Sequence, residues 1–172
     1  MTGRVDDIVA AARTVVESHG ADALTMQAVA DQLHIKAPSL YKHVAGKRAI
    51  EVELIARTLS EMGEALHAAI AAEGGGGRGA ATAALLAAYR RQALAHPHLY
   101  RLATAGPLPR DALPEGLEDW AGEPFFLVTG DPYRAQALWS FAHGMVILEL
   151  DRRFPDHSAL DRTWAEGAAA FA

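Results

Sequence analysis

Apolar residues recur every three or four positions along most of this chain and nowhere alternate with a period of two, so helices are the elements that can bury them on one face. Val5, Ile8, Val9, Ala12, Val15 and Val16 form the first such stripe. His19-Gly20 stops it, because glycine takes the left-handed conformation that closes a helix. Thr25 is placed to cap a second helix with Val29, Ala30 and Leu33 inward. Pro38 suits the first turn of a third, very short helix containing Leu40, Tyr41 and Val44. After Gly46 a long fourth helix carries Ile50, Leu54, Leu59, Met62, Leu66 and Ile70 and ends at Glu73. The expected fold class is all-α.

The run Gly74-Gly-Gly-Gly-Arg-Gly79 predicts a flexible loop, since each glycine costs about 1 kcal/mol relative to alanine inside a helix. Gly74, Gly76 and Gly79 match a GxGxxG spacing, but they follow a helix, whereas a phosphate-cradling loop follows a strand. Alanine-rich residues 80 to 95 predict a helix stopped by His96-Pro97, and 98 to 104 a short one stopped by Gly106-Pro107. Residues 107 to 116 form a proline-punctuated loop. A helix near 115 to 128 contains Gly122 and Pro124, which weaken it. Asp131-Pro132 opens a helix to about Arg153 as N-cap and first residue. Ser158, with Asp161 three residues on, opens the last one, which carries Leu160, Trp164, Ala168 and Phe171.

Charge is distributed unevenly along these elements. Up to Arg48 six Lys and Arg stand against five Asp and Glu, a formal +1; the remainder has ten against sixteen, or −6, within a total of −5. A uniformly basic coat is excluded, while a local positive end that meets a polyanion is not. The chain has no cysteine, which removes disulfides, thiolate metal sites and cysteine nucleophiles. Acidic Asp6 and Asp7 stand where a secretion signal needs a cationic then apolar run, so no such signal is expected. No stretch approaches the ~18 apolar residues of a membrane helix. A cytoplasmic location is the expectation.

The second and third helices, separated by His34-Ile35-Lys36-Ala37, have the form of a helix-turn-helix. The residues Leu24-Thr-Met-Gln-Ala-Val-Ala-Asp-Gln-Leu-His-Ile-Lys-Ala-Pro-Ser-Leu-Tyr-Lys-His-Val44, followed by Gly46-Lys-Arg-Ala-Ile50, closely resemble the DNA-binding domain of the TetR family of transcriptional regulators. The resemblance covers roughly residues 5 to 55. It implies a DNA-binding domain over 1–47, a connecting helix over 48–73, and a helical ligand-binding and dimerisation domain over 74–172. One departure stands out: His34 occupies a turn position where family members usually carry glycine, and histidine tolerates positive φ better than most residues.

At the end of the third helix and the start of the fourth, the hydroxyl of Tyr41, the imidazole of His43 and the ammonium of Lys47 can reach phosphate oxygens, which positions a protein on DNA without reading sequence. Backbone amides near Pro38 favour anions too. The resemblance implies base contacts from Gln27 and from Lys36, Ala37, Pro38, Ser39 and Lys42, with Thr25 at the head of the second helix. Gln27 suits adenine, and Lys42 suits guanine or phosphate. Competing with these roles, Tyr41 can pack as a core aromatic against Val29, Lys42 and Lys47 can be solvated charges, and Gln27 can be a plain surface residue.

In the C-terminal part, Trp139-Ser-Phe-Ala-His143-Gly144-Met-Val-Ile-Leu-Glu149-Leu resembles the tryptophan-histidine-glycine subtype of TetR-family C-terminal domains. This helix is apolar nearly all round and so needs two partners. The resemblance implies that one face meets its own core and the other joins the last helix in a two-fold homodimer, with Phe141, Met145, Leu148, Leu160, Trp164 and Phe171 as interface residues. Gly144 would let backbones approach closely. A pocket for a small, largely apolar effector is expected among Met62, Leu66, Phe125, Phe126, Trp139 and His143, with the histidine as polar handle or as a hydrogen-bonded core residue.

Two other classes compete with this reading. His96 and His98 flank Pro97 and, with Asp111 or His157, suggest a metal-dependent enzyme, but no i, i+4 pair on a helix exists there and no GxSxG, Walker or HExxH motif occurs. An enzyme and bound cofactors are therefore not expected. A helical protein-interaction module that has lost DNA binding is the alternative, and the set Tyr41, Lys42, His43 and Lys47 argues against it. The expected function is a ligand-responsive regulator, acting as a repressor on a pseudo-palindromic operator.

Overall fold

The computed structural model describes residues 3–172. Met1 and Thr2, the start of the segment considered for a secretion signal, lie outside the described residues. Eight α-helices and three 3-10 turns are present among the described residues, and no strand. They are α1 (Arg4–His19), α2 (Met26–Gln32), α3 (Lys47–Ala72), α4 (Gly77–Ala95), α5 (Pro97–Thr104), α6 (Leu117–Thr129), α7 (Pro132–Leu150) and α8 (Leu160–Phe171). The expected all-α class is observed.

Two compact units are formed. The first runs to Leu59 and resumes over His96–Leu117; the second comprises Ser60–Ala95 and Glu118–Ala172. In the first unit Ile8, Val9, Ala12 and Val16 of α1 meet Val29 and Ala30 of α2, Leu40 of the turn Ala37–Lys42, Ile50 and Leu54 of α3, and Leu99 of α5 in one buried cluster. Burying each large aliphatic side chain contributes about 1.5–3 kcal/mol before chain entropy is set against it. At the start of α1 the Gly3 amide donates to Asp6 Oδ2 at 3.1 Å, and Arg57 donates to Asp6 Oδ1 at 2.6 Å. The Arg57 bond, then the Gly3 amide, hold the Asp6 carboxyl below its ordinary range.

In the second unit α4 packs on α8 and α7. Arg90 of α4 is the polar centre of that packing: its Nη2 lies 2.7 Å from Glu149 Oε1 and its Nη1 2.5 Å from Asp161 Oδ1, with the guanidinium carbon 5.7 Å from the Trp164 ring centroid. Trp164 Nε1 donates to the other Glu149 oxygen at 3.2 Å. The Glu149 carboxylate raises the Arg90 pKa above its ordinary value. Nearby, the ring of Phe141 on α7 sits over Gly167 of α8, edge-on to Trp164 at 5.8 Å and tilted against Phe171 at 6.1 Å.

Helix α6 survives its internal proline by a specific compensation. Pro124 has no amide to give the Trp120 carbonyl four residues before it. His67 of α3 supplies the missing donor, with Nε2 3.0 Å from that oxygen and its ring stacked on the Trp120 indole at 5.0 Å. A carbonyl only accepts, so His67 carries its proton on Nε2. Gly63, one turn earlier on α3, leaves room for the indole; a Cβ there would lie 2.6 Å from it.

Several local expectations are corrected. Helix α4 begins at Gly77, so Gly77, Arg78 and Gly79 are helical and only the preceding glycines form a turn. The third helix is a 3-10 turn over Ala37–Lys42 that leaves Val44 outside. Helix α7 stops at Leu150 instead of near Arg153, because Arg152 takes φ +52° and the Arg153 amide folds back to the Leu148 carbonyl at 2.9 Å. Ser158 does not cap α8: its amide bonds the Pro155 carbonyl, and Ala159 stands at the cap without a side-chain acceptor.

Candidate nucleic-acid interface

The interface is built from the head of α2 onward. The Thr25 hydroxyl accepts from the Ala28 amide at 3.0 Å, capping α2 as its sequence position predicts. At the other end the Ile35 amide reaches the Ala30 carbonyl at 3.0 Å and the His34 amide the Asp31 carbonyl at 3.1 Å. This pair of bonds closes a helix around a residue in the left-handed region, and His34 holds that place at φ +54°. The unusual histidine thus adopts the conformation glycine would. Lys36 then accepts the Ser39 amide on its carbonyl at 2.9 Å, opening the 3-10 turn, and Leu40 plugs that turn into the core with no exposed surface.

Anchoring Leu40 forces its neighbours outward. Tyr41 is 59% exposed, so it is not the core aromatic packed on Val29. Lys42, His43 and Lys47 are exposed as well, as are Thr25, Gln27, Lys36 and Pro38, while Ala37 and Ser39 are half-buried. Lys47 Nζ lies 3.5 Å from Glu51 Oε1, and Gln27 Nε2 lies 2.6 Å from Asp31 Oδ1. Asp31 is a member of this surface that sequence reasoning did not single out; its place four residues after Gln27 on a helix was the available signal.

The residues expected to line a pocket are placed differently from one another. Leu66 and Phe125 are buried, Phe125 edge-on to Tyr89 at 5.7 Å, and Met62 is half-buried. Phe126 and Trp139 are 47% and 46% exposed, so the six do not all face one interior. His143 stacks on Trp139 at 5.8 Å, and burial pushes its imidazole pKa below the ordinary value. Of the residues expected at a dimer interface, Met145 and Trp164 are buried within their own unit, Phe141, Leu160 and Phe171 are half-buried, and Leu148 is exposed. The Arg90, Glu149 and Asp161 network was invisible in the sequence, since Arg90 lies more than fifty residues before both carboxylates.

An outward-facing helix-turn-helix with cationic and hydroxyl groups beside it, joined in one chain to a separate helical unit, defines the class of DNA-binding transcriptional regulators. Residues 8–54 match the family described as bacterial regulatory proteins, tetR family, and residues 82–171 match the tetracyclin repressor-like C-terminal domain. An uncharacterized HTH-type transcriptional regulator of Mycobacterium tuberculosis is 32% identical over 161 residues, covering 84% of this chain and 69% of its own. Among solved structures, a protein of unknown function from Rhodococcus sp. RHA1 superposes with TM-score 0.80 at 20% identity, covering 99% of this chain and 94% of that one. A TetR variant from Acinetobacter baumannii, solved with minocycline, does so with TM-score 0.63 at 20% identity over 99% and 97% of the two chains. The chain belongs to the TetR family of transcriptional regulators, which are not enzymes. No helix among the described residues is long and apolar enough to cross a membrane.

Proposed function

We propose that this chain is a cytoplasmic repressor that binds a pseudo-palindromic operator as a homodimer and leaves it when a small, largely apolar molecule binds the C-terminal part. In this reading residues 1–47 contact DNA, 48–73 connect, and 74–172 bind the effector and form the dimer, in the manner of the tryptophan-histidine-glycine subtype. The observation that carries the DNA half is the outward turn after Leu40, where Tyr41, Lys42 and His43, with Lys47 just beyond, offer a phenol, an imidazole and two ammonium groups to phosphates. A protein-only adaptor has no physical use for that combination. Two such turns, one per subunit, would enter successive major grooves about 34–36 Å apart.

The effector acts through differential affinity: it binds more tightly to the arrangement whose spacing does not fit DNA, and a coupling of ~1–3 kcal/mol gives a 5–150-fold response. Support for a ligand comes from the exposed Trp139 ring stacked on half-buried His143, an adaptable apolar surface with one polar handle in the same unit as buried Phe125 and Leu66. Support for the dimer comes from exposed Leu148 and from Gly144, next to which a Cβ would meet nothing within 4 Å in the protomer, leaving room for another backbone. Titration of the full chain with nonspecific duplex at several salt concentrations tests the DNA half. Binding that weakens steeply with salt supports it, and no binding at low salt by folded protein favours the adaptor.

A further inference from the structure

On the exposed face of α2, Gln27 and Asp31 stand one turn apart and their side chains are joined, Gln27 Nε2 donating to Asp31 Oδ1 at 2.6 Å. An ionised carboxylate only accepts, so the amide nitrogen, and not the oxygen, must face Asp31. A glutamine–aspartate pair at this spacing is by itself a small stabiliser of a helix, and the position is an awkward one for an acid. Asp31 lies in the last turn of α2, where the helix dipole disfavours negative charge, and it shares its unit with Lys36, Lys42 and Lys47, which are offered to a polyanion. What the carboxylate does supply is orientation. Turning the amide over would set its oxygen against the carboxylate oxygen, acceptor against acceptor, so Oε1 is the acceptor left free, beside the second hydrogen of Nε2.

We propose that Asp31 is a positioning residue that holds the Gln27 amide with its carbonyl oxygen outward, and thereby selects a base carrying an exocyclic amine at the position Gln27 faces. In the major groove the N6 amine of adenine and the N4 amine of cytosine donate to such an oxygen. Guanine O6 and thymine O4 are themselves acceptors and meet it unfavourably. This rests on the reading that Gln27 faces bases, and it widens that reading from adenine alone to the amino-bearing pair while adding a positioning residue beside the reader.

The test uses the full chain and the duplexes enriched by selection from a random pool, with each of the four bases placed in turn at the position where Gln27→Ala changes the profile. Wild type, Gln27→Ala, Asp31→Ala and Asp31→Glu are compared at fixed salt, after thermal unfolding has shown each to be folded. The expected result is a preference for adenine or cytosine of at least about fivefold in wild type, retained by Asp31→Glu, which keeps an acceptor-only group, and lost in Asp31→Ala at that position alone. Removing a negative charge should also tighten Asp31→Ala binding to all sequences alike, which a purely structural role would not convert into a change of base preference. A wild-type preference for guanine or thymine there, or an Asp31→Ala profile identical to wild type, overturns the positioning role. A Gln27→Ala profile unchanged at every position instead overturns the base contact itself, so the two failures are distinct.

Discussion

The Ile35 amide donates to the Ala30 carbonyl at 3.0 Å across His34, whose φ of +54° puts a side chain where the backbone favours none. That bond fixes the direction in which the chain leaves α2, and with it the aim of the turn that carries Ser39, Tyr41 and Lys42. Isoleucine at the second position past the helix packs against the core of the first unit, which is the apolar contact that accompanies this kind of helix end. The geometry is therefore held by packing and two backbone bonds, against a local preference of the histidine for other conformations.

Replacing His34 by glycine should keep this turn and relieve its strain, raising stability by about 0.5–1 kcal/mol, while His34→Val should lower it by about 1–2 kcal/mol because a β-branched side chain fits the left-handed region worst. For a chain of this size that is a few degrees in midpoint by thermal unfolding, upward for glycine and downward for valine. A lower midpoint for His34→Gly would show that the imidazole makes a contact worth more than the strain.

Two glycines on packed helices should respond in opposite directions. A Cβ at Gly167 would run into the Phe141 ring, which is itself held by Trp164 and Phe171, so Gly167→Ala should cost about 1–3 kcal/mol of overpacking against a helix-propensity gain of about 1. At Gly144 a Cβ meets nothing within 4 Å, so Gly144→Ala should leave the protomer at least as stable while weakening the dimer if backbones approach there. Thermal unfolding and sedimentation equilibrium read the two effects separately. An unchanged dimer constant would place Gly144 away from the interface.

Burial lowers the pKa of His143 in the folded protein, so the unfolded chain binds its proton first as pH falls. The stability this group contributes is complete above the unfolded histidine value, near pH 6.5, and is lost progressively as pH falls from there through the folded pKa. His143→Gln, which cannot titrate, should therefore destabilise less with acidification over that range than wild type does. Denaturant unfolding of both proteins at stepped pH measures it; parallel curves would mean that His143 is solvated as freely folded as unfolded.

Lys47 should behave as a phosphate contact: Lys47→Ala should weaken binding to all duplexes similarly and reduce the salt slope by about 1 per subunit. Its neighbour Glu51 draws the ammonium to 3.5 Å, so Glu51→Gln should tighten nonspecific binding. Fluorescence anisotropy across a salt series distinguishes this from a loss confined to one sequence, which would make Lys47 a base contact.

Much of this fold was legible because its signals are local. Thr25, His96-Pro97 and Asp131-Pro132 mark helix ends by chemistry that acts within one turn, and Asp131 Oδ1 indeed accepts from the Tyr133 and Arg134 amides. The misplaced boundaries have nonlocal or unusual causes. Gly77 to Gly79 are helical where their propensity is poor, in a first turn that lies near Ala172 and Gly130, so packing within the second unit outweighs propensity there. The end of α7 uses Arg152 in the left-handed region, and without a glycine at that position the sequence carried no stop. For the candidate site, the exposed groups around Tyr41 followed from the resemblance and from Leu40 being apolar. The acceptor beside Gln27 was legible as a neighbour by its i, i+4 spacing, but its bond depends on side-chain rotamers, and the donor that rescues Trp120 from Pro124 depends on contact between distant segments, which periodicity does not encode.

The central claim, that this chain reads DNA as a symmetric pair, is tested most directly by letting the purified protein select from a pool of random duplexes and sequencing what it retains. The account predicts a two-fold symmetric motif with half-site centres about one helical turn apart or a multiple of it. A retained pool with no enriched motif, from protein shown to be folded and dimeric, would contradict it and favour the interaction module.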